Sequence, residues 1–300
     1  MLEILSERYK TFKLESWRDF DDFDAHDLRC LYRGHGCESW VLRTAYERCQ
    51  RVQNPMREQR MLHRFMAEAG IYESQLPDQD DYISWLSLMQ HYGVGTRLLD
   101  VTRSKYIALF FALIGMYENK LKEDGAVWVF KTFASDLTLC NALMTSEDDP
   151  CIDPQEMPSI EALSPYKALG SRFAKEFIIT DWLGRVRETC DDKLVCQHKV
   201  QMSSFVESGG VLHVVPDISN KRMVNQAAEF LMPITLRRSF DDNLFDGAKD
   251  NKGIMCAPEV VKLVVPKNLF GAFMSKLRDM NITHQTVYPD ISGLAMSVNV

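Results

Sequence analysis

Thr96-Arg97-Leu98-Leu99-Asp100-Val101-Thr102-Arg103-Ser104, running into Lys105-Tyr106-Ile107-Ala108-Leu109-Phe110-Phe111-Ala112-Leu113-Ile114, is the stretch that decides the fold. Thr96 to Val101 is short and rich in Leu, Val and Thr, which suits an extended strand. Thr102 or Ser104 then offers a hydroxyl as helix cap. The apolar run that follows, through Tyr117, predicts a helix buried on nearly every side. Asp124-Gly125 marks a turn, and Ala126 to Phe130 reads as a strongly apolar strand. A strand, a buried helix and a second strand therefore follow one another closely.

Working towards the N-terminus, Asp81 to Tyr92 predicts a helix with Ile83, Leu86 and Gln90 along one side. Gly93 stops it, and Gly93-Val94-Gly95 forms a turn. Asn54-Pro55 opens an earlier helix, with a capping amide and then proline where its missing N–H costs nothing. Leu62, Phe65, Met66 and Ala69 fall at helical spacing, and Gly70 closes that helix. Arg57, Arg60 and Arg64 make a basic stripe on another face, either a solvated surface or a grip on phosphates. Cys30-Leu31-Tyr32 reads as a strand ending at Arg33-Gly34, and residues 1–29 as a helical or extended lead-in.

Towards the C-terminus the pattern loosens over 133–200, read as an insertion or subdomain with helical pieces at 171–177 and 182–190. Strand alternation returns at 211–215, 229–234 and 260–265. Pro266 then opens an amphipathic helix carrying Leu269, Phe273 and Leu277, ended by Asn281. Short scattered strands between uneven helices favour an α+β fold over regular βαβ winding: a mixed or split antiparallel sheet flanked by helices. The expected organisation is a lead-in at 1–29 and one domain over 30–300.

The chain has 300 residues, 46% hydrophobic and 26% charged, enough to bury a large core. A formal charge of −7 argues against bulk non-specific nucleic-acid binding, while leaving room for a local basic patch. None of the eight cysteines forms a CxxC pair, and no histidine stands beside them at zinc-finger spacing. No metal, no membrane span and a cytoplasmic, reducing location are the expectations.

Three polar clusters could carry chemistry. Tyr32-Arg33-Gly34-His35-Gly36 puts a guanidinium fork at a strand end, suited to phosphate or carboxylate, with glycines that permit close approach by a ligand. Arg33 could equally be a buried structural arginine. Gln90-His91-Tyr92-Gly93 with Thr96 to Thr102 crowds amide, imidazole, phenol, guanidinium, carboxylate and hydroxyl beside an apolar helix. Such groups must be paired or kept for a purpose. Arg97 and Asp100 could form a buried ion pair fixing the turn, and His91 could simply favour a helix C-terminus. Asn220 to Phe230 is the third cluster, with Arg222, Asn225, Gln226 and Glu229; Glu229 is either a surface carboxylate or the acid of a site. There is no GxGxxG, no GKS/GKT phosphate loop and no GxSxG elbow.

Tyr32-Arg33-Gly34, followed by Trp40, Leu42 and Arg48, resembles the (F/Y)RG signature of FRG-domain proteins. The run Trp85 to Gly93, then Thr96 to Thr102, then Ala108-Leu109-Phe110-Phe111-Ala112, is similar to that family's most characteristic stretch. A weaker likeness is to ADP-ribosyltransferases, on residue order alone: Arg33, then Thr102 before the helix, then Glu229. That likeness implies a split-sheet architecture and NAD as substrate. Arg33 would neutralise the pyrophosphate, Thr102 would buttress the nicotinamide ribose, and Glu229 would stabilise charge as the glycosidic bond breaks. Tyr32, Gly34, Gln90, His91, Arg97, Asp100 and Gln226 would line the NAD site. The chain departs from the Ser-Thr-Ser motif at Val101-Thr102-Arg103-Ser104, and Gln226 stands three residues before Glu229 rather than two. The implied roles are a bacterial toxin or defence effector acting on a protein or nucleic-acid acceptor, with an antitoxin or regulatory partner. The alternatives are a non-catalytic module binding nucleotide or nucleic acid, and a phosphodiesterase using His91 and Asp100.

Overall fold

The computed structural model describes residues 2–5, 8–23, 30–49, 54–131, 169–183, 206–217, 220–246 and 259–298. Its core is one mixed eight-stranded sheet. In chain order the strands are β1 (Leu2–Leu5), β2 (Lys10–Lys13), β3 (Cys30–His35), β4 (Leu99–Thr102), β5 (Gly125–Lys131), β6 (Val211–Val214), β7 (Ala228–Pro233) and β8 (Glu259–Val265). Their spatial order is β1-β2-β8-β5-β3-β4-β7-β6. Only β2 and β8 run parallel; every other neighbouring pair is antiparallel. The α+β expectation holds. The segment read as a lead-in supplies two strands, with β2 pairing along β8 from Lys10–Val261 to Lys13–Val264. A short helix α1 (Trp17–Asp21) follows, capped by Ser16.

In the decisive stretch the expected strand and buried helix both form, but the strand is Leu99–Thr102 rather than Thr96 to Val101. Ser104, rather than Thr102, caps α5 (Lys105–Glu118), accepting from the Ile107 N–H at 3.3 Å. Seven of its 14 residues are buried, from Ile107 to Met116, and each large apolar side chain among them contributes about 1.5–3 kcal/mol. Helix α2 (Ala45–Cys49) follows β3, and α3 (Pro55–Ala69) starts on Asn54 as expected. Helix α4 (Tyr82–His91) starts on Asp81 and stops before Gly93, whose φ of +82° is the left-handed conformation glycine adopts without strain. Helix α6 (Leu169–Leu183) is continuous where two helical pieces were expected. The rest of 133–168 and 184–200, including the second expected piece from 184 on, lies outside the described residues.

The short α7 (Lys221–Asn225) and α8 (Phe240–Phe245) flank β7. After β8, a 3-10 turn leads into α9 (Phe270–Asp279), then α10 (His284–Val287) and α11 (Ile291–Val298). Asn281, at φ 60°, ends the α9 segment in a conformation asparagine tolerates.

Alternation along the strands assigns side chains to two faces. On one face Tyr32, Val127, Val129, Val261 and Leu263 pack with α5 and α9. Further along it, Phe230, Met232, Leu212 and Val214 pack with α3, α4 and α6. On the other face Leu31, Val101, Trp128, Phe130 and Leu231 pack with Phe240, Leu244 and Phe245 of α8. The two faces are called here the helical face and the α8 face.

The seam of the sheet lies between β3 and β4, which pair at one position only, Tyr32 with Thr102. The sheet is therefore continuous, not split, but thinnest here. The Arg33 guanidinium substitutes for a missing ladder bond, its Nη1 donating to the Asp100 carbonyl at 2.6 Å. Beneath β3 the glycines meet α5, not a ligand. A Cβ on Gly34 would stand 2.0 Å from the Ala108 carbonyl oxygen, and one on Gly36 would stand 2.3 Å from the Gly115 carbonyl carbon. The expectation that these glycines admit a ligand is corrected: the space beside them is filled by helix backbone.

Candidate functional site

A shallow cleft of about 100 Å³ opens on the helical face between α4 and α7, floored by Ala228 and Phe230 of β7. Gln90 and His91 come from the last turn of α4, Asp100 from β4, and Asn220, Arg222 and Gln226 from α7 and its caps. Thus Gln90, His91 and Asp100 line one cleft with Gln226, which is more than a hundred residues away in sequence. Arg222, which belonged only to the third polar cluster, joins them.

Local chemistry fixes these groups. The Gln90 carboxamide oxygen accepts from the Thr96 hydroxyl, so its amide nitrogen must face Asp100 and donates to Oδ1 at 2.6 Å. The Asn220 side chain caps α7 by accepting from the Met223 N–H, and its amide nitrogen lies 3.5 Å from His91 Nδ1. The Arg222 guanidinium stacks 4.6 Å over the Tyr288 ring, a cation–π contact that, with a side-chain hydrogen bond to Tyr288, holds the fork in place. Asn225 and Gln226 bind the carbonyls of Thr286 and Val287 at 2.9 and 3.2 Å, tying α7 to α10. Ala227 turns the chain from α7 into β7 at φ 44°, a left-handed conformation that costs an L-residue about 1–2 kcal/mol. Its carbonyl accepts from the Arg103 N–H at 3.0 Å.

Several anticipated site residues lie elsewhere. Tyr32 is inside the core with α5, and Gly34 is covered as above. Arg97 is 0% exposed and belongs to a buried ion cluster: its Nε meets Glu58 at 2.8 Å and its Nη2 meets Asp181 at 3.1 Å. It does not pair with Asp100, because residues three apart in an extended chain point to opposite faces. Asp100 instead binds Gln90 and lies 3.7 Å from Arg33 Nη1. Glu58 fills the helical position that aligns with Leu62 on α3. A carboxylate on an apolar stripe was the available signal for a buried partner, and the sequence reading missed it.

Arg33, Thr102 and Glu229 are brought together only in part. Glu229 pairs across the ladder with Val101, and Arg33 lies on the other side of Val101 on the same α8 face. Thr102 alternates to the opposite face. Its hydroxyl donates to the Gln226 carbonyl at 2.6 Å and accepts from the Ser104 N–H at 3.0 Å. Glu229 is neither a surface carboxylate nor an open acid. It is buried, with Arg103 Nε 2.8 Å from Oε1 and His213 Nε2 2.6 Å from Oε2.

His35 sits behind Arg33, whose Nε lies 3.1 Å from His35 Nε2, while Trp128 Nε1 lies 3.2 Å from Nδ1. A neutral ring has one lone-pair nitrogen and accepts only one of these. Burial first, and then the Arg33 cation, push its pKa down to about 3. The folded state therefore takes up this proton less readily than the unfolded chain. The stability held above about pH 6.5 is lost as pH falls toward 3, at about 1.4 kcal/mol per unit. The unfolding free energy of the wild type, measured in urea, is expected to fall more steeply between pH 6.5 and 5 than that of His35→Gln, by about 2 kcal/mol. Parallel pH profiles would show that His35 is not the group.

Arg57, Arg60 and Arg64 are exposed on α3, and Arg64 pairs with Glu68 at 3.2 Å, as on a solvated helix face. Among the described residues no group of three or more histidine, cysteine, aspartate or glutamate side chains could hold a metal ion, and no helix is long and apolar enough to cross a membrane.

Fold and site together define an α+β domain whose sheet seam is bridged by an arginine and whose helical face carries a donor-rich cleft. Residues 28–121 match the FRG domain, so the chain carries an FRG domain across the segment holding β3, α2 to α5 and β4. No curated protein and no solved structure matches the chain. The matched span contains Arg33, Gln90, His91 and Asp100; Arg222, Gln226 and Glu229 lie beyond it.

Proposed function

We propose that this FRG-domain protein binds a nucleotide in the cleft between α4 and α7. The observation that carries this reading is the convergence of Arg222, His91 and the amides of Gln90 and Asn220 on one concave surface. A guanidinium held by ring stacking suits phosphate oxygens, which it meets with paired charge-assisted bonds. The exposed Tyr92 ring, edge-on to His91 at 5.1 Å between centroids, offers a base a stacking surface at the rim. Nucleotide rather than nucleic acid is favoured, because the groups meet in one small cleft and none of the arginines of the α3 stripe lines it.

Titration calorimetry with ADP-ribose and NAD tests this. Binding is expected for the wild type, with Arg222→Ala weakening it about 10- to 100-fold at an unchanged thermal midpoint. Absence of binding at millimolar ligand, or equal affinity in the folded variant, would sink the proposal.

A second reading, cleavage of NAD, is favoured by one specific observation: Arg33 and Glu229 flank Val101 on the α8 face at the seam. The bond between nicotinamide and ribose C1 would break with its electron pair leaving on nicotinamide. Water, or a protein or nucleic-acid nucleophile, would add at C1 and lose a proton. Glu229 would first have to release one of its two partners. Nicotinamide release that disappears in Arg33→Ala supports this reading, and binding without release excludes it.

A further inference from the structure

Asp100 differs in kind from the other polar groups around the cleft. It is the one carboxylate among the lining residues, and its side chain is 56% exposed. Oδ1 is committed to Gln90 at 2.6 Å. Gln90 cannot turn away, because its own oxygen is held by Thr96. Oδ2 is not committed in this way. Arg33 Nη1 stays 3.7 Å from it and spends its short bond, 2.6 Å, on the Asp100 carbonyl. Oδ2 is therefore held by a long ion pair with Arg33, on a side chain exposed enough to offer a remaining lone pair to a further donor.

An ionised carboxylate only accepts hydrogen bonds. It repels a phosphate placed against it and welcomes a hydroxyl. The donors that suit a phosphate, Arg222, Asn220 and His91, come from α7 and the end of α4, whereas Asp100 comes from β4. The cleft thus offers donors that suit an anion and one carboxylate acceptor that suits a hydroxyl. Its volume of about 100 Å³ is well below the several hundred Å³ that enclose a whole ligand. It can hold a sugar–phosphate unit while the base lies outside, beside Tyr92.

On the reading that this cleft binds a nucleotide, we propose that Asp100 is its specificity residue. It accepts a hydrogen bond from the ribose 2′-hydroxyl, so the cleft takes ribonucleotides and refuses those with a 2′-deoxy or 2′-phosphorylated sugar. Discrimination of this kind is strong when a buried or fixed polar group is left without its partner. Gln90 is then a positioning residue acting through Asp100.

The test is titration calorimetry of ADP, 2′-deoxy-ADP and ADP carrying a 2′-phosphate, on the wild type and Asp100→Asn. ADP is expected to bind the wild type about tenfold more tightly than 2′-deoxy-ADP, with the 2′-phosphorylated form weakest. In Asp100→Asn the deoxy ratio is expected to shrink to within about twofold, and the 2′-phosphate penalty to disappear with the charge. Equal wild-type affinity for ADP and 2′-deoxy-ADP overturns the role of Asp100 while leaving nucleotide binding intact. A variant that weakens all three ligands by the same factor does so too, because a merely structural role predicts that. If the wild type binds neither these nor ADP-ribose and NAD, nucleotide binding itself fails, and the inference falls with it. Should the variant not fold, the wild-type ratio decides alone.

Discussion

Arg97→Met is expected to destabilise the protein by about 3–5 kcal/mol, the cost of breaking a buried ion pair from one side. Arg97 is fully buried and is the cation for two buried carboxylates, Glu58 and Asp181. The remaining capacity of those acids is filled around it. Trp182 Nε1 donates to Glu58 at 3.1 Å, and the Thr235 hydroxyl and Leu236 N–H donate to Asp181 at 2.7 and 3.0 Å. Removing the guanidinium strands the Glu58 charge and leaves Asp181 only the half-exposed Arg237, whose Nε stands 3.5 Å from Oδ1, and neither acid can reach water without α3 or α6 leaving the sheet. Lysine is no rescue, because one ammonium cannot reproduce the fork that spans both acids. Urea unfolding with an unchanged m-value measures the loss. Replacing all three charged residues with apolar side chains of similar volume is expected to recover much of it. A loss under about 1 kcal/mol for Arg97→Met would show that the cluster is not charged as drawn.

The second large effect is expected from Gly34→Ala. A single methyl at this position would sit 2.0 Å from the Ala108 oxygen and 2.6 Å from the Ala112 nitrogen. Both are backbone atoms of a buried helix, so neither can swing aside as a flexible side chain would. Either α5 moves off β3 or β3 shifts from β5, with which it forms a six-pair ladder from Cys30–Lys131 to His35–Ala126. Overpacking of this kind costs about 1–3 kcal/mol, and more where backbone must move. The displacement should also loosen Arg33 from the Asp100 carbonyl. Gly34→Ala is therefore expected to lower the thermal midpoint and weaken nucleotide binding together. By contrast, Gly271→Ala in α9, where an added Cβ meets nothing within 4 Å, should lower neither and is expected to raise the thermal midpoint slightly. An undisturbed thermal midpoint in Gly34→Ala would mean that β3 and α5 are not packed this closely.

Both predictions concern residues that the sequence marks out and whose purpose it does not disclose. Arg33-Gly34 and Thr96 to Thr102 read as one working site, yet the structure divides their labour. Arg33 and Asp100 border the seam and the cleft, while Gly34 and Arg97 hold the fold together. Arg97 next to Asp100 invites an ion pair because both are charged and close in sequence. The true partners, Glu58 and Asp181, are 39 and 84 residues away. Glu229 shows the same limit: order along the chain cannot say that a carboxylate will be flanked by Arg103 and His213.

By itself the sequence determined much of the local structure: the cap at Asn54, the helix opening at Asp81, the buried helix α5, the apolar strands β5 and β8, and the α+β class. These depend on neighbours within a turn or two, where spacing and hydroxyl or amide caps act directly. Only the tertiary structure decided which face each strand residue occupies. A shift of one position reverses a side chain's direction, and that separates Thr102 from Glu229 and Arg97 from Asp100. It also decided that Gln90, Asp100 and Arg222 meet, because pairing of β4 with β7 brings together segments more than a hundred residues apart, and no local pattern encodes that distance.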